Sequence, residues 1–521
     1  MARALVIAAL VVVALGFGSP WPAAAQENVL NVGKYGALAT YDPHAGGLDT
    51  MWWTLNNFYE SLLDMNEDIA TFRPVLATSW QVSRDGKVYT FKLREGVKFA
   101  DGASFDATAV KLSIERAQAL KKAAFIYVKP IVKTETPSPS TLVLHLEKPY
   151  NPFLAGLRYL LIVSPQALRD HDKDRAEGWL RDHTAGTGPY GLERWEPNII
   201  HVAKRNPHYW RGWPAGKFTT LNLRHIYEPE TQRLMVEKGE LDIAENITKD
   251  ALPALKRNPS IVVHEKAGTS LMVTFLNTQA TPTKDPRVRQ AIHHLWNQEA
   301  FNAIAGHTAM PGPLYTPLLG KDWKLQNPYP YNSERAKKLL AEAGYGSGGF
   351  TLRFQSQKGD VDKRAMFEIF QAELNKLNIK MEFFEDTWPA LVKRATDWGA
   401  TRSGDTAIHM FGYFRPALIL SPYDFLFHMY HSDAYPTKGG RNFTYYTNPE
   451  YDRLINEGIG SLDAERELKL LRQAAEVVWK DAAVVVNGRI VDKIVTRKDL
   501  KGFIYMGDRI SYRYYDMSRE R

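Results

Sequence analysis

An α/β fold built on parallel strands is what this 521-residue sequence predicts. The stretch 350–411 carries that expectation. Phe350, Leu352 and Phe354 alternate, Ile379, Met381 and Phe383 alternate again, and 406–411 reads as a third strand. Between them, Phe367, Phe370, Leu374 and Leu377 make a helical stripe, and a shorter helix fits 388–398. Alternating strands and helices with such short connections imply right-handed crossovers and a parallel sheet. Open parallel sheets bind ligands beyond the carboxyl ends of their strands. Three loops are thereby singled out: 355–360, 385–388 and 412–416.

The other elements follow in chain order. Arg3 precedes an apolar run over 4–17, Ser19-Pro20 breaks it, and Ala23-Ala24-Ala25 precedes Gln26. This is the layout of a cleavable secretory signal, residues 1–25. Its apolar run, roughly 14 residues, is too short for a comfortable membrane span. The alternation of Tyr89, Phe91 and Leu93 predicts a strand over 88–94. A helix is expected after Asp106, with Val110, Ile114 and Ala117 on one stripe, and Leu142, Leu144 and Leu146 mark another strand. Asp285-Pro286 places a capping acid before a proline at the first helical position. Ser333 is read as a second cap, and Gly344 as the left-handed residue closing that helix.

Composition narrows the function classes. There is no cysteine, which excludes disulfides, thiol catalysis, cysteine metal sites and a lipid-modified cysteine anchor. Without Arg3, the 66 basic residues set against 58 acids leave a mature charge of +7, dispersed along the chain. A balance this modest bears on solubility and steering, and does not suggest nucleic-acid binding. Aromatics make up 12%, a surplus that serves cores and ligand pockets alike. Zinc-protease, nucleophile-elbow and phosphate-loop motifs are absent from the sequence. An extracytoplasmic hydrolase would need such a constellation, so nothing in these residues points to an enzyme or to a bound cofactor.

Longer motifs are more specific. The stretch 77–99, with Trp80, Asp85-Gly86, Tyr89, Phe91, Arg94-Glu95-Gly96 and Phe99, resembles the signature of the family 5 extracellular solute-binding proteins. These are dipeptide, oligopeptide and nickel receptors of ABC importers. Asp42-Pro43, Tyr59-Glu60-Ser61-Leu62, Gly186-Thr187-Gly188-Pro189-Tyr190, Tyr209-Trp210, the run from Asp285 to Ala291 and that from Ala336 to Gly344 match in family order. The resemblance implies a two-lobed periplasmic binding protein fold with a hinge and a subdomain inserted in the first lobe. It places the first lobe at 26–58, 187–278 and 487–521, the insertion at 59–186 and the second lobe at 279–486. It also implies a monomeric periplasmic receptor that hands a peptide or other small organic solute to a separate membrane permease and its ATPase.

The site residues follow from the same reading. Peptide-binding members carry an aspartate in the loop after the third strand of the second lobe. Here the stretch is Phe411-Gly412-Tyr413-Phe414-Arg415-Pro416, without the acid. An arginine in a pocket calls for an anion, so Arg415 is the expected ligand contact, with Asp405 or Asp424 as the alternative protein partner. Tyr413, Trp388 and Tyr35 are the expected aromatic walls. His428, His431 and Asp433 are the only cluster considered for metal, because nickel receptors belong to the family; no metal ligand is assigned.

Overall fold

Strand pairing in the computed structural model divides the chain into two halves that share one sheet. It describes residues 28–34, 38–46, 54–66, 71–320, 322–357, 361–401, 407–415, 421–438, 440–505 and 512–519. In chain order the strands are β1 (Val29–Lys34), β2 (Leu63–Met65), β3 (Phe72–Pro74), β4 (Ala77–Val82), β5 (Val88–Leu93), β6 (Ile131–Ser138), β7 (Thr141–Leu146), β8 (Tyr190–Glu196) and β9 (Ile200–Arg205). They continue as β10 (Thr220–His225), β11 (Ile243–Ala244), β12 (Ile261–Leu276), β13 (Thr351–Gln357), β14 (Lys380–Asp386), β15 (Met410–Arg415), β16 (Val484–Arg497), β17 (Leu500–Lys501) and β18 (Ser518–Arg519). Ten of them form one sheet, in the order β14-β13-β15-β12-β16-β11-β1-β10-β9-β8.

The two longest strands hold the halves together. β12 and β16 pair antiparallel along their length, β15 joins β12 over 271–276, and β11 joins the far end of β16. Midway the register breaks, and Gly268, Thr269 and Ser270 oppose Ile490 alone. A bulge of this kind bends the strand and increases its twist.

A separate antiparallel sheet, β4-β5-β7-β6, lies in the chain between β1 and β8. Tyr89, Phe91 and Leu93 bury one face of β5, and Leu142, Leu144 and Leu146 one face of β7, as the period of two predicts. Their core is continuous with Leu30, Val32, Leu221 and Leu223 of the first half. In the second half, Leu271, Val273 and Phe275 face one cluster, and Met272 and Leu276 face another. The sheet there is covered on both sides.

Asp106 caps the helix Ala107–Leu120, accepting from the Ala109 amide at 3.0 Å. Asp285 caps the helix Pro286–Leu295 and accepts from the Arg287 amide at 2.8 Å. The cap of the helix Ser333–Glu342 is Asn332 and not Ser333, because the Asn332 side chain accepts from the Arg335 amide. Gly344 takes the left-handed conformation after that helix, at φ +88°, as expected.

The largest correction concerns the third strand of the parallel set. It begins at Met410 and runs to Arg415, so 412–415 is strand and not loop. β12 continues alongside as a partner, with Leu271 opposite Arg415, and this extends the pairing. Likewise β14 runs to Asp386, and only Thr387 separates it from the helix Trp388–Thr401. The signal segment, Tyr35, Asp405 and Pro416 lie outside the described residues.

Candidate functional site

Strand direction defines the site. β13 runs parallel to β14 and β15, and β15 runs antiparallel to β12. β11 runs antiparallel to β16, as β12 does, and β1 runs parallel to β10 and β11. The first-half strands therefore point along β12 toward the second half, and β13, β14 and β15 point back. Two sets of carboxyl ends face each other across the bulge, which is where α/β sheets bind ligands.

The separation follows from register. Glu245, one residue beyond the pairing of Ala244 with Val495, lies at the level of Ile494 on β16, and Arg415 lies at that of Arg489. Five strand residues at 3.3 Å each give a gap of about 16 Å, enough for a short extended peptide.

The first half presents a charged pair. Lys34, the last residue of β1, pairs with Glu245 at 2.6 Å, both side chains being almost wholly buried. Tyr512 also donates to Glu245 and lies under the Lys34 ammonium, 5.8 Å from ring centroid to nitrogen. Gln232 fixes the strand end from behind, accepting from the Glu245 and Asn246 amides at 2.9 and 3.1 Å. Beside them, His201 contacts Tyr41 through Nδ1 and His225 through Nε2. Burial, with His225 and Lys34 nearby, pushes His201 down to about 3. That ring is neutral at pH 7, so the charges at this end are Lys34 and its partner Glu245.

At the bulge, Arg489 braces the crossing strands. Its Nε donates to the Gly268 carbonyl at 2.6 Å and its Nη2 to the Ala267 carbonyl at 2.7 Å. Its guanidinium stands 4.6 Å over the Tyr315 ring. Several buried polar atoms have no partner among the described residues: the hydroxyls of Thr269 and Ser270 in the bulge, Asn487 Nδ2 on β16, and, toward the end of β13, the Ser356 hydroxyl and both amide atoms of Gln355. Orphaned buried polar groups cost stability unless water or a ligand satisfies them. Hydroxyls and amides left open in this way can hydrogen-bond a ligand.

The predicted residues fall as follows. Arg415 ends β15 with its backbone opposite Leu271, at the second-half rim of the gap. Tyr413 is buried, its ring 6.1 Å from Phe275 in a stacked pair and 6.4 Å from Phe443. Its hydroxyl accepts from Arg441 at 3.1 Å. Trp388 opens its helix directly after β14, and its side chain lies outside the described part. Asp424 is wholly buried in the helix Pro422–Tyr430. His431 is 3.7 Å from Asp452 and His428 3.9 Å from Asp424. Among the described residues no group of three or more histidines or acids is arranged to hold a metal. Lys34, Glu245, Tyr512 and Arg489 were missed. The one local signal for them was that Lys34 precedes Tyr35 at the end of the first strand.

The chain is similar to known proteins over most of its length. The family model described as bacterial extracellular solute-binding proteins, family 5 middle, matches residues 71–436. The glutathione-binding protein GsiB of Salmonella typhi is 29% identical over 513 residues, covering 95% of this chain and 96% of its own. The probable D,D-dipeptide-binding periplasmic protein DdpA of Escherichia coli K12 is 29% identical over 497 residues, covering 93% and 92%. Among solved structures, the periplasmic binding protein DppA of Helicobacter pylori, in complex with the peptide STSA, superposes with a TM-score of 0.82. It is 25% identical, with 95% of this chain and 98% of that one covered. The two halves are the two lobes of the periplasmic-binding-protein fold.

Proposed function

On the premise that the chain belongs to the bacterial extracellular solute-binding proteins of family 5, we propose that it is the periplasmic receptor of an ABC importer for a short peptide. The observation that carries this reading is the pair of facing carboxyl ends, with Lys34 and Glu245 on one side and Arg415 on the other. A peptide carries an amine and a carboxylate with amide groups between. The buried hydroxyls of the bulge, and the buried polar groups toward the end of β13, offer partners for those amide groups. The similarity to GsiB, a glutathione-binding protein, and to DdpA, a probable D,D-dipeptide-binding protein, supports a small peptide over a long one.

The lobes are placed at 26–58, 187–278 and 487–521 for the first and 279–486 for the second, with 59–186 inserted in the first. The hinge is the bulged crossing of β12 and β16, where few residues absorb a change in backbone angle. The mature receptor, released from a signal at 1–25, acts as a monomer and docks to separate permease and ATPase subunits.

Mass spectrometry of the solute that co-purifies with the mature protein tests the reading, followed by calorimetric titration with dipeptides and glutathione. A peptide at one equivalent supports it. Turnover of the added peptide, or saturable binding only of non-peptide solutes, defeats it.

A further inference from the structure

We propose that the second lobe carries a separate binding site for a small organic cation, in the cavity between the helices Pro286–Leu295 and Ala464–Lys480. The cavity measures about 420 Å³, within the range of small-molecule pockets. Trp296, Tyr329, Tyr331 and Trp479 supply its walls, and Glu299 is its one carboxylate. Among the described residues neither lysine nor arginine lines it. Aromatic faces carry partial negative charge and attract an ammonium, most strongly where a carboxylate adds its field.

A second, independent observation points to a ligand. Trp296 Nε1 and His293 Nε2 have no partner among the described residues, although the two residues are only 6% and 4% exposed. Such atoms are seldom left unsatisfied. The indole N–H can only donate, so the ligand needs an acceptor as well as its positive charge. Burial, with His294 and Arg289 beside it, pushes the His293 pKa down to about 3. The ring is thus neutral and does not repel a cation.

The wall is held in place from outside. Trp479 Nε1 donates to the Gln326 carbonyl at 3.1 Å, and the Tyr329 hydroxyl to the Lys480 carbonyl at 2.5 Å. The His293 ring lies 4.9 Å from Tyr329 and 5.6 Å from Trp479. The neighbouring cation, Arg289, is engaged by the main-chain carbonyls of Thr283, Lys284 and Asp481 at 2.9–3.0 Å. A quaternary or primary ammonium bearing a hydroxyl or carboxylate fits this set of groups. None of these residues belongs to the facing strand ends, so the site stands apart from the proposed peptide site.

Calorimetric titration of the full mature chain with choline, and with its uncharged isostere in which carbon replaces the nitrogen, provides the test. Choline should bind once per chain and the isostere about tenfold more weakly. Glu299→Gln changes an exposed residue, and Trp296→Phe keeps a ring while removing the donor. Each should weaken choline several-fold while the thermal midpoint holds. Arg415→Ala should leave choline binding unchanged, which separates this site from the peptide cleft. Equal binding of the isostere, indifference to both substitutions, or no binding at millimolar choline would overturn the proposal.

Discussion

The backbone amide of Asn151 donates to the carbonyl of Ile459 across 3.1 Å, and so ties the segment following β7 to the second lobe. The Asn151 side chain adds a bond to the Ser461 carbonyl at 2.9 Å and a longer one to that of Gly458. Next to it, the Tyr150 ring meets Tyr423 edge-on at 5.8 Å. These contacts bridge the lobes at a distance in sequence from β12 and β16. They therefore bear on how far the lobes are closed.

Replacing both residues, Tyr150→Ala with Asn151→Ala, should open the lobes. Hydrogen bonds contribute about 1 kcal/mol each and an aromatic pair a similar amount, so closure should weaken by roughly 2–3 kcal/mol. Small-angle scattering of the ligand-free variant should give a larger radius of gyration than wild type. An unchanged radius would mean that β12 and β16 alone set the closed geometry.

The Lys34–Glu245 pair is almost fully buried, so removing one partner strands a charge. Lys34→Met alone should cost about 3–5 kcal/mol in urea unfolding. The double variant Lys34→Met with Glu245→Gln should recover much of that loss, since the stranded carboxylate is gone. If the single and double variants are equally unstable, packing and not charge governs the site.

Acid should destabilise the fold through His44. Its Nε2 bonds the Leu161 carbonyl at 2.9 Å, and its Nδ1 lies 3.1 Å from Arg116, an arrangement that suits only the neutral ring. Burial first, and then Arg116, lower its pKa from 6.5 to about 4. The unfolded chain binds the proton first, so this contribution is complete above pH 6.5 and is lost as pH falls toward 4. A shift of that size corresponds to about 3 kcal/mol. Chemical denaturation at steps between pH 7 and 4 should show the decline, and His44→Gln should flatten it.

Arg415→Ala should weaken binding of the co-purified ligand by roughly 30-fold or more, from about 2–5 kcal/mol for truncating one side of a buried charge pair. Arg415→Lys should recover little, because a lysine cannot reproduce a two-pronged contact with a carboxylate. Calorimetry of both variants decides this. Undiminished affinity in a folded Arg415→Ala protein would assign the residue to an ion pair within the chain.

Much of the local structure was legible because its causes are local. Period-two alternation marked β5 and β7, and an acid before proline marked the helix Pro286–Leu295. The family motifs from Trp80 to Gly344 were also legible, and with them the two-lobed fold that the comparisons bear out. The ends of β14 and β15 were not, since a strand continues for as long as a neighbour supplies hydrogen bonds, and β12 is remote in sequence from β15.

The sequence by itself determined which segments alternate, where helices begin, and that no thiol chemistry is available. Only the tertiary structure decided which groups meet. Lys34 and Glu245 lie 211 positions apart, and parallel pairing of β1 with β11 makes them neighbours. Tyr413 was singled out by the family resemblance, and it is the pairing of β15 with β12 that brings its ring to 6.1 Å from Phe275. The physical reason is one of range. Side-chain periodicity and capping act over a few residues of chain, whereas sheet register is set by the cooperative burial of distant strands, and it is register that brings the two sets of carboxyl ends face to face.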